Sequence, residues 1–281
     1  MQQPATRQLP FPRKELLLRT SSGVVLAATT ILMTWSGPVP FAILTGAVAL
    51  ILLWEWARLT TGVGFTVVRS VAGVAILAAL GLTIAGRPGL GVLIVVFGAV
   101  VAAFNPGRGQ RRMEFAGVLY AGLPAVSLVW LRADAPLGLE SIVLLLLIVW
   151  STDTGAFVAG RSIGGPRLWA RVSPNKTWSG LIGGICAAAA CAAIYAASLG
   201  IGASAQIVAL AAMLAIVSQL GDLFESSLKR AYGVKDASSL IPGHGGFMDR
   251  VDGLVFAAVV AAVFAAVIDH AQPARALLGW G

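Results

Sequence analysis

Apolar runs alternate with short polar segments along most of the chain. Nine of these runs are 15 to 22 residues long and carry few charges, a length at which a helix can cross the hydrocarbon core of a bilayer. Backbone groups in lipid have no water to bond, so each run is predicted to be an α-helix. The predicted spans are 22–36, 41–57, 69–86, 89–104, 115–131, 138–159, 178–199, 204–224 and 252–269.

Composition strengthens this reading. Hydrophobic residues make up 58% of the 281 positions and charged residues 11%, and the mean hydropathy is +0.87. Such values indicate an all-α, polytopic integral membrane protein with about nine transmembrane helices. We divide it into a cytoplasmic N-terminal segment (1–21), N-terminal scaffold helices (22–137) and C-terminal helices and loops that carry the active site (138–281).

The charge distribution predicts the orientation. With a cytoplasmic N-terminus, only Arg87, Arg132 and Arg275 of the 20 basic residues lie outside, as the positive-inside rule expects. The 17 inner basic residues, among them Arg58 and Arg69, face nine inner acids, so the whole net charge of +8 is cytoplasmic. A basic face of this kind anchors topology and attracts anionic headgroups, or it binds a polyanionic substrate. Without a soluble basic domain, nucleic acid is not an expected partner.

Polar residues that topology does not explain begin in the sixth span. Asp153 follows an apolar run, and an ionisable residue at that depth is a functional candidate; the alternative is a helix end at which it pairs with Arg161 or Lys176. A glycine-rich loop then leads to Ser173, Lys176 and Thr177 at the start of the seventh helix. Hydroxyls, an ammonium and free N–H groups together suit a phosphate, although Ser and Thr are also ordinary helix caps.

A second polar region follows the eighth span. Ser218, Asp222, Glu225 and Lys229 are spaced four, three and four residues apart, so they share one face of a helix. This arrangement predicts a carboxylate face turned to the protein interior. Structural pairs on a solvated helix end are the alternative.

The next segment turns through several glycines before the ninth helix. Gly245 and Gly246 allow a close backbone approach to a ligand, and His244 lies just before them. Asp249 and Asp252 are three residues apart, on one face at the mouth of the helix, where the helix dipole also favours acids.

Carboxylates without Cys partners indicate a hard cation with oxygen ligands. Mg²⁺ held by Asp222 and Asp249 together with substrate phosphates fits this set better than Zn²⁺ does. Basic residues nearby would neutralise phosphate charge, which suggests phosphoryl or nucleotidyl transfer to a molecule in the bilayer. These residues are Lys176, Lys229, Arg230, Lys235 and Arg250.

The second polar region resembles the signature of the phosphatidate cytidylyltransferase family, the CDP-diacylglycerol synthases. Asp153-Thr154-Gly155-Ala156 and Ser173-Pro174-x-Lys176-Thr177 are similar to a further block shared by that family, with departures at Ser179 and at Gly165-Pro166. The signature residues are Ser226-x-Leu228-Lys229-Arg230, Lys235-Asp236, Ser238 and Ile241-Pro242-x-His244-Gly245-Gly246-Phe247-x-Asp249-Arg250-Val251-Asp252.

The resemblance implies that CTP and phosphatidic acid give CDP-diacylglycerol and pyrophosphate at the cytoplasmic side of the cell's inner membrane. It makes Asp222 and Asp249 the ligands of Mg²⁺ or Mn²⁺, with K⁺ as a candidate second ion, and a homodimer a candidate assembly. Asp222, Asp249, Lys229 and Arg250 are the expected catalytic residues. Expected substrate contacts are Ser173, Lys176, Thr177, Arg230, Lys235, Asp236, His244, Gly245 and Gly246, and expected supporting acids are Asp153, Glu225 and Asp252.

Two other functions are compatible with part of this pattern. A CTP-dependent kinase acting on a polyprenol-type lipid would use the same nucleotide and release CDP. An ion-coupled transporter would place Asp153 and Asp222 in an ion site between broken helices, but it leaves the basic and glycine-rich loops unexplained.

Overall fold

Ten helices and one short hairpin make up the computed structural model, which describes residues 13–104, 111–202, 204–241 and 245–279, with side chains from Thr20 onward. The helices are α1 (Arg13–Trp35), α2 (Pro38–Thr61), α3 (Val67–Ile84), α4 (Pro88–Ala103), α5 (Arg111–Ala133), α6 (Gly138–Ile163), α7 (Trp178–Ser198), α8 (Ala205–Ala231), α9 (Met248–Asp269) and α10 (Pro273–Leu278).

Each predicted span coincides with one of the helices α1 to α9. In the described part of the chain, seven helices (α2, α3 and α5 to α9) are long and apolar enough to cross a membrane. The apolar part of α1, Thr20–Trp35, and α4 are shorter, so the count of nine spans stays a prediction. The helical, multi-pass character is confirmed.

Several helices continue past the predicted spans into polar sequence. The eighth was expected to end at residue 224 and reaches Ala231, and the ninth begins at Met248 instead of residue 252. Hydropathy marks where the chain leaves lipid, whereas the helix ends only where backbone hydrogen bonding ends. The charged residues of α8 and α9 therefore stand on rigid helical turns.

The predicted glycine-rich loop between α6 and α7 contains a small antiparallel sheet. Strand β1 (Arg167–Trp169) pairs with β2 (Ser173–Thr177), and Arg167 lies opposite Thr177. Gly164 and Gly165 precede β1 with φ values of +66° and +107°, which let the chain reverse after α6. The all-α class is thus correct for the bundle and incomplete for this loop. The sequence also did not predict α10.

Small residues bring α6 and α7 close together. A Cβ placed on Gly155 would lie 2.5 Å from the Cβ of Ala187, and one on Gly184 would lie 2.8 Å from the carbonyl oxygen of Thr152. Close backbone approach of this kind is a common packing mode between membrane helices. It packs the part of α6 that contains Asp153 against the middle of α7.

Polar contacts tie segments together at each end of the bundle. At one end Arg132 Nε donates to the carbonyl of Thr34 at 2.9 Å, and the amide of Ala274 donates to Asp134 Oδ2 at 2.7 Å. The opposite end contains the hairpin, the end of α8 and the start of α9. Both polar regions singled out in the sequence therefore lie at the same end.

Arg69 has a structural role that the charge pattern did not reveal. Its side chain is buried, its Nε donates to Glu114 Oε2 at 3.0 Å, and its Nη1 donates to the carbonyls of Val63 and Gly64. The prediction counted Arg69 as a cytoplasmic loop charge. It instead joins α3 to α5 and holds the turn after α2.

Candidate active site

Four segments meet at the end of the bundle that contains the hairpin. Asp153 lies in α6, Lys176 in β2, Asp222 and its neighbours near the end of α8, and Asp249 in the first turn of α9. Because α8 and α9 run in opposite directions, the end of one meets the start of the other. The geometry of the site follows from two lysines that each join two segments.

Lys176 joins the hairpin to α8. Its Nζ lies 2.5 Å from Asp222 Oδ2 and donates to Gln219 Oε1 at 2.9 Å. Gln219 Nε2 donates in turn to Asp153 Oδ1 at 3.4 Å. Asp153 therefore belongs to this network through Gln219, and no direct ion pair of Asp153 with Arg161 or Lys176 occurs among the described residues. Asp153 is nevertheless exposed.

Lys229 joins α8 to α9. Its Nζ lies 3.0 Å from Glu225 Oε1, one helical turn away, and 2.5 Å from Asp249 Oδ1. The other oxygen of Asp249 accepts from the amides of Ala237 at 3.1 Å and Gly246 at 2.9 Å. Both oxygens of Asp249 thus accept hydrogen bonds, and its side chain is 7% exposed.

The two lysine pairs differ in accessibility. Asp222 is 31% exposed, whereas Glu225 is completely buried. Among the described residues, the remaining oxygen of Asp222 accepts a hydrogen bond only from Ser226, at 3.2 Å. Among the carboxylates that pair with the two lysines, Asp222 is therefore the one that an incoming ion or substrate reaches most easily, while Asp249 lies deeper.

The formal charge of the site favours cations. Asp252 lies in the first turns of α9, and electrostatic interactions link it to Asp222 and Asp153. When all groups are ionised, five carboxylates and two lysines give a net charge of −3. A cation that enters with a nucleotide would reduce the repulsion between these carboxylates and the phosphates. The members are Asp153, Asp222, Glu225, Asp249, Asp252, Lys176 and Lys229.

The donor set fits a hard divalent cation. Within the described residues, no group of three or more His, Cys, Asp or Glu side chains is arranged to hold a metal ion. Mg²⁺ commonly takes only one or two protein carboxylates and completes its shell with substrate phosphates and water. Asp222 and Asp249 can supply those carboxylates, provided that Lys176 and Lys229 shift toward the phosphates.

Two predicted phosphate contacts lie in the hairpin. Ser173 begins β2, and Thr177 is the N-cap of α7, where its Oγ1 accepts from the amide of Gly180 at 3.1 Å. The capping alternative thus holds for Thr177. Ser179 contacts the Thr177 hydroxyl and donates to the carbonyl of Gly164 at 2.5 Å. The departure from the family pattern at Ser179 therefore stabilises the turn between α6 and β1.

The other predicted contacts surround the segment between α8 and α9. Arg230 is exposed and its Nη1 donates to the carbonyl of Val234 at 3.2 Å, while Lys235, Asp236 and Arg250 are also exposed. These four residues are therefore more accessible than the Lys229–Asp249 pair, whose side chains are 13% and 7% exposed. His244 lies outside the described residues.

Glycine is needed at positions 245 and 246 for different structural reasons. Gly245 has a φ of +84°, and its backbone exchanges two hydrogen bonds with Ile241. Gly246 is buried, and a Cβ there would lie 2.7 Å from Glu55 Oε1 and 3.1 Å from Asp249 Oδ2. Gly246 is thus required by packing between two carboxylates.

Glu55 is a site residue that the sequence patterns did not reveal. This residue of α2 is 0% exposed and accepts hydrogen bonds from Ser238, Phe247 and Met248. The sequence carries one signal for Glu55: an ionisable side chain inside an apolar span is costly, which makes it a candidate for a functional or structural role. The contacts themselves bridge more than 180 residues, so no local pattern predicted them.

A cavity of about 410 Å³ opens between the end of α2 and the segment after α8. Ala237 lines this cavity and also donates its amide to Asp249, so the cavity adjoins the Lys229 pair. Its lining residues are Trp54, Arg58, Leu59, Val234, Ala237, Ser238, Ser239 and Leu240.

The fold and the site define a class: a multi-pass helical membrane protein that brings carboxylates and lysines together at one end of the bundle. Residues 17–268 match the model of the cytidylyltransferase family, and the chain belongs to this family.

Similar proteins carry a more specific name. A phosphatidate cytidylyltransferase of Brucella suis is 41% identical over 254 residues, which cover 90% of this chain and 94% of that protein. The enzyme of that name from Pseudomonas aeruginosa is 36% identical over 86% of this chain and 89% of its own length. The one from Bacillus subtilis is 40% identical over 140 residues, about half of each chain.

Proposed function

We propose that this protein transfers the cytidylyl group of CTP to phosphatidate and forms CDP-diacylglycerol and pyrophosphate. Family membership and the names of the relatives support this activity. The structural observation that carries it is the pairing of Lys176 with Asp222 and of Lys229 with Asp249. Three separate segments thereby place two ammonium groups and two carboxylates at one end of a membrane bundle.

The reaction needs positioning more than a protein nucleophile. An oxygen of the phosphatidate phosphate forms a bond to the α-phosphorus of CTP, and the bond from that phosphorus to the β-phosphate oxygen breaks. The attacking oxygen is already ionised near neutral pH, so no side chain has to remove a proton. The two substrates repel each other, and the site must neutralise them while it holds them in line.

Within that scheme the lysines are the mobile counterions. Lys176 and Lys229 would exchange a carboxylate partner for a phosphate oxygen when CTP enters. Mg²⁺ or Mn²⁺ held by Asp222 and Asp249, with K⁺ as a candidate second ion, would supply positive charge to the phosphates. Glu225 stays beside Lys229 at 3.0 Å and keeps its ammonium oriented during the exchange.

The cavity beside the Lys229 pair is suited to part of the nucleotide. Its volume of about 410 Å³ lies in the range of small-ligand sites. Arg58 supplies positive charge on one wall, and the polar segment around Ser238 forms the other. Lys235 and Asp236, predicted as nucleotide contacts, lie in the chain between the lining residues Val234 and Ala237.

Phosphatidate would approach from the lipid side. Phe157 and Ile163 near the end of α6 and Trp178 at the start of α7 are large, exposed apolar residues next to the hairpin. Acyl chains can stay in the bilayer against this surface while the headgroup reaches Lys176. The lipid then needs no deep cavity for its tails.

We also place the site on the cytoplasmic side of the inner membrane. The basic residues of the sequence support this orientation, because 17 of 20 fall on the side that carries the two polar regions. A homodimer stays a prediction from the family resemblance. The transporter alternative accounts for less of the site, since ion transport does not require the lysine pairs. The names of the relatives favour cytidylyl transfer over the kinase.

The direct test uses purified protein in detergent with CTP labelled at the α-phosphate, phosphatidate and Mg²⁺. The expected result is one labelled CDP-diacylglycerol for each pyrophosphate released, with loss of both on addition of EDTA. In a parallel reaction with a polyprenol in place of phosphatidate, release of CDP together with the phosphorylated polyprenol would favour the kinase. If neither CDP-diacylglycerol nor pyrophosphate forms under conditions in which the Brucella suis enzyme is active, the proposal is wrong.

A further inference from the structure

Glu55 is a buried acid on α2 that the mechanism above does not use. Its Oε1 accepts from Ser238 Oγ at 2.5 Å and from the amide of Phe247 at 2.9 Å, and its Oε2 accepts from the amide of Met248 at 2.6 Å. We propose that Glu55 is a positioning residue, which holds the segment before α9 so that Asp249 faces Lys229. This inference rests on the proposed function.

The carboxylate replaces the missing cap of α9. Phe247 is the N-cap residue of this helix and offers no side-chain acceptor, so the first amides of α9 need partners from elsewhere. Glu55 accepts from two of them, those of Phe247 and Met248. A negative charge at a helix N-terminus is also favoured by the helix dipole. The start of α9 is therefore set by a residue of α2.

Asp249 holds the same segment through the residues that directly precede those bound to Glu55. Gly246 donates to Asp249, and the next amide, Phe247, donates to Glu55. Ala237 donates to Asp249, and the next residue, Ser238, donates to Glu55. In each of these two pairs of adjacent residues, the first binds Asp249 and the second binds Glu55. A shift of one carboxylate changes the geometry of the other.

Gly246 shows how closely the two carboxylates are coupled. Its missing Cβ would lie 2.7 Å from Glu55 and 3.1 Å from Asp249. In the described part of the chain, Glu55 has no ion pair with Lys or Arg. Its charge is balanced by hydrogen bonds from this one segment, so loss of the charge releases the segment and no other element.

The experiment compares Glu55→Gln with Glu140→Gln. Gln keeps one carbonyl oxygen, but its NH₂ group would meet the amide of Met248, which then has no acceptor. Glu140 is a partly buried glutamate in the first turn of α6, at the opposite end of the bundle, and gives a chemically identical control. Ser238→Ala removes one hydrogen bond to Glu55 and is the milder second variant.

Two readouts are needed. Hydrogen exchange of the amides of Phe247 and Met248, followed by mass spectrometry in detergent, reports on the segment without substrate. We expect it to be about tenfold faster in Glu55→Gln, as for an amide that loses a hydrogen-bond acceptor. Assays across Mg²⁺ concentrations should show kcat lowered at least about tenfold and a higher Mg²⁺ requirement, since Asp249 is displaced. Ser238→Ala should change both in the same direction and by less.

Several outcomes would overturn the inference. One is folded Glu55→Gln protein with unchanged exchange at residues 247 and 248. Another is faster exchange with wild-type kcat and Mg²⁺ requirement, because Glu55 would then only cap the helix. If Glu55→Gln does not fold, wild-type kcat in Ser238→Ala has the same consequence. If wild-type protein makes no CDP-diacylglycerol, the proposed function fails, and the exchange comparison still decides whether Glu55 holds this segment.

Discussion

Replacement of Asp249 by Asn separates the charge of this residue from its shape. Asn is nearly isosteric, but it has one acceptor oxygen where Asp249 uses both. In the structure one oxygen accepts from Lys229 at 2.5 Å and the other from two backbone amides at 2.9 and 3.1 Å. The single acceptor oxygen of the variant can therefore serve either the ammonium or the two amides, but not both.

The expected loss of stability is limited. A hydrogen bond to a charged group contributes about 1.5–3 kcal/mol, and a neutral one about 1 kcal/mol. Lys229 keeps its second partner, Glu225, at 3.0 Å, so its ammonium is not left buried alone. We expect Asp249→Asn to lower the free energy of unfolding by about 1–3 kcal/mol and to leave a folded, purifiable protein.

The expected loss of turnover is larger. Removal of one group that stabilises transition-state charge typically reduces kcat about 10²–10³-fold, or about 3–4 kcal/mol. We expect kcat at saturating CTP and phosphatidate to decrease at least about 10²-fold. The Asp249 carboxylate would act on the reacting phosphates through the cation that it holds or through Lys229, and the variant lacks its charge. Product formation per folded molecule is the measurement, with folding checked by gel filtration and thermal unfolding.

Asp269→Asn is the matched control. Asp269 lies at the other end of α9, and its carboxylate likewise accepts from two backbone amides, those of Ala271 and Gln272 at 2.9 and 3.2 Å. Turnover of this variant should equal that of wild type. Near-normal kcat in Asp249→Asn would refute the assignment of Asp249 to the reacting centre, and an equal loss in both variants would show that the effect comes from helix stability.

Two further substitutions test other parts of the site. Gly246→Ala should lower kcat more than tenfold, since the added Cβ would lie 2.7 Å from Glu55 Oε1. Gly81→Ala is the control, because a Cβ at Gly81 meets open space, and it should leave kcat unchanged. Equal turnover of the two variants would contradict the packing argument. Lys176→Met should raise the KM for CTP about tenfold or more, because the ammonium 2.5 Å from Asp222 is lost. Lys176→Arg keeps the positive charge and should retain more activity. An unchanged KM of Lys176→Met in steady-state assays would show that Lys176 does not contact CTP.

The lengths of the apolar runs determined much of the fold. A run of apolar residues long enough for the bilayer can satisfy its backbone only as a helix, so all nine predicted spans lie on helices. The same logic identified the polar residues within or beside lipid as site candidates, and the face of α8 with Asp222, Glu225 and Lys229 followed from the helical repeat. Helix ends in polar sequence and the hairpin at 167–177 were less predictable, because hydropathy reports depth and not backbone hydrogen bonding.

Which residues are partners was decided only by tertiary packing. Lys176 and Asp222 are both site candidates in the sequence, but only the close packing of α7 and α8 shows that they pair. Glu55 is the clearest case, since its donors lie 183 to 193 residues away in the chain. A local pattern describes how residues repeat along one helix. Contacts between distant helices depend on how all the helices pack, so the hydrogen bonds of Glu55 to the start of α9 are a property of the assembled bundle.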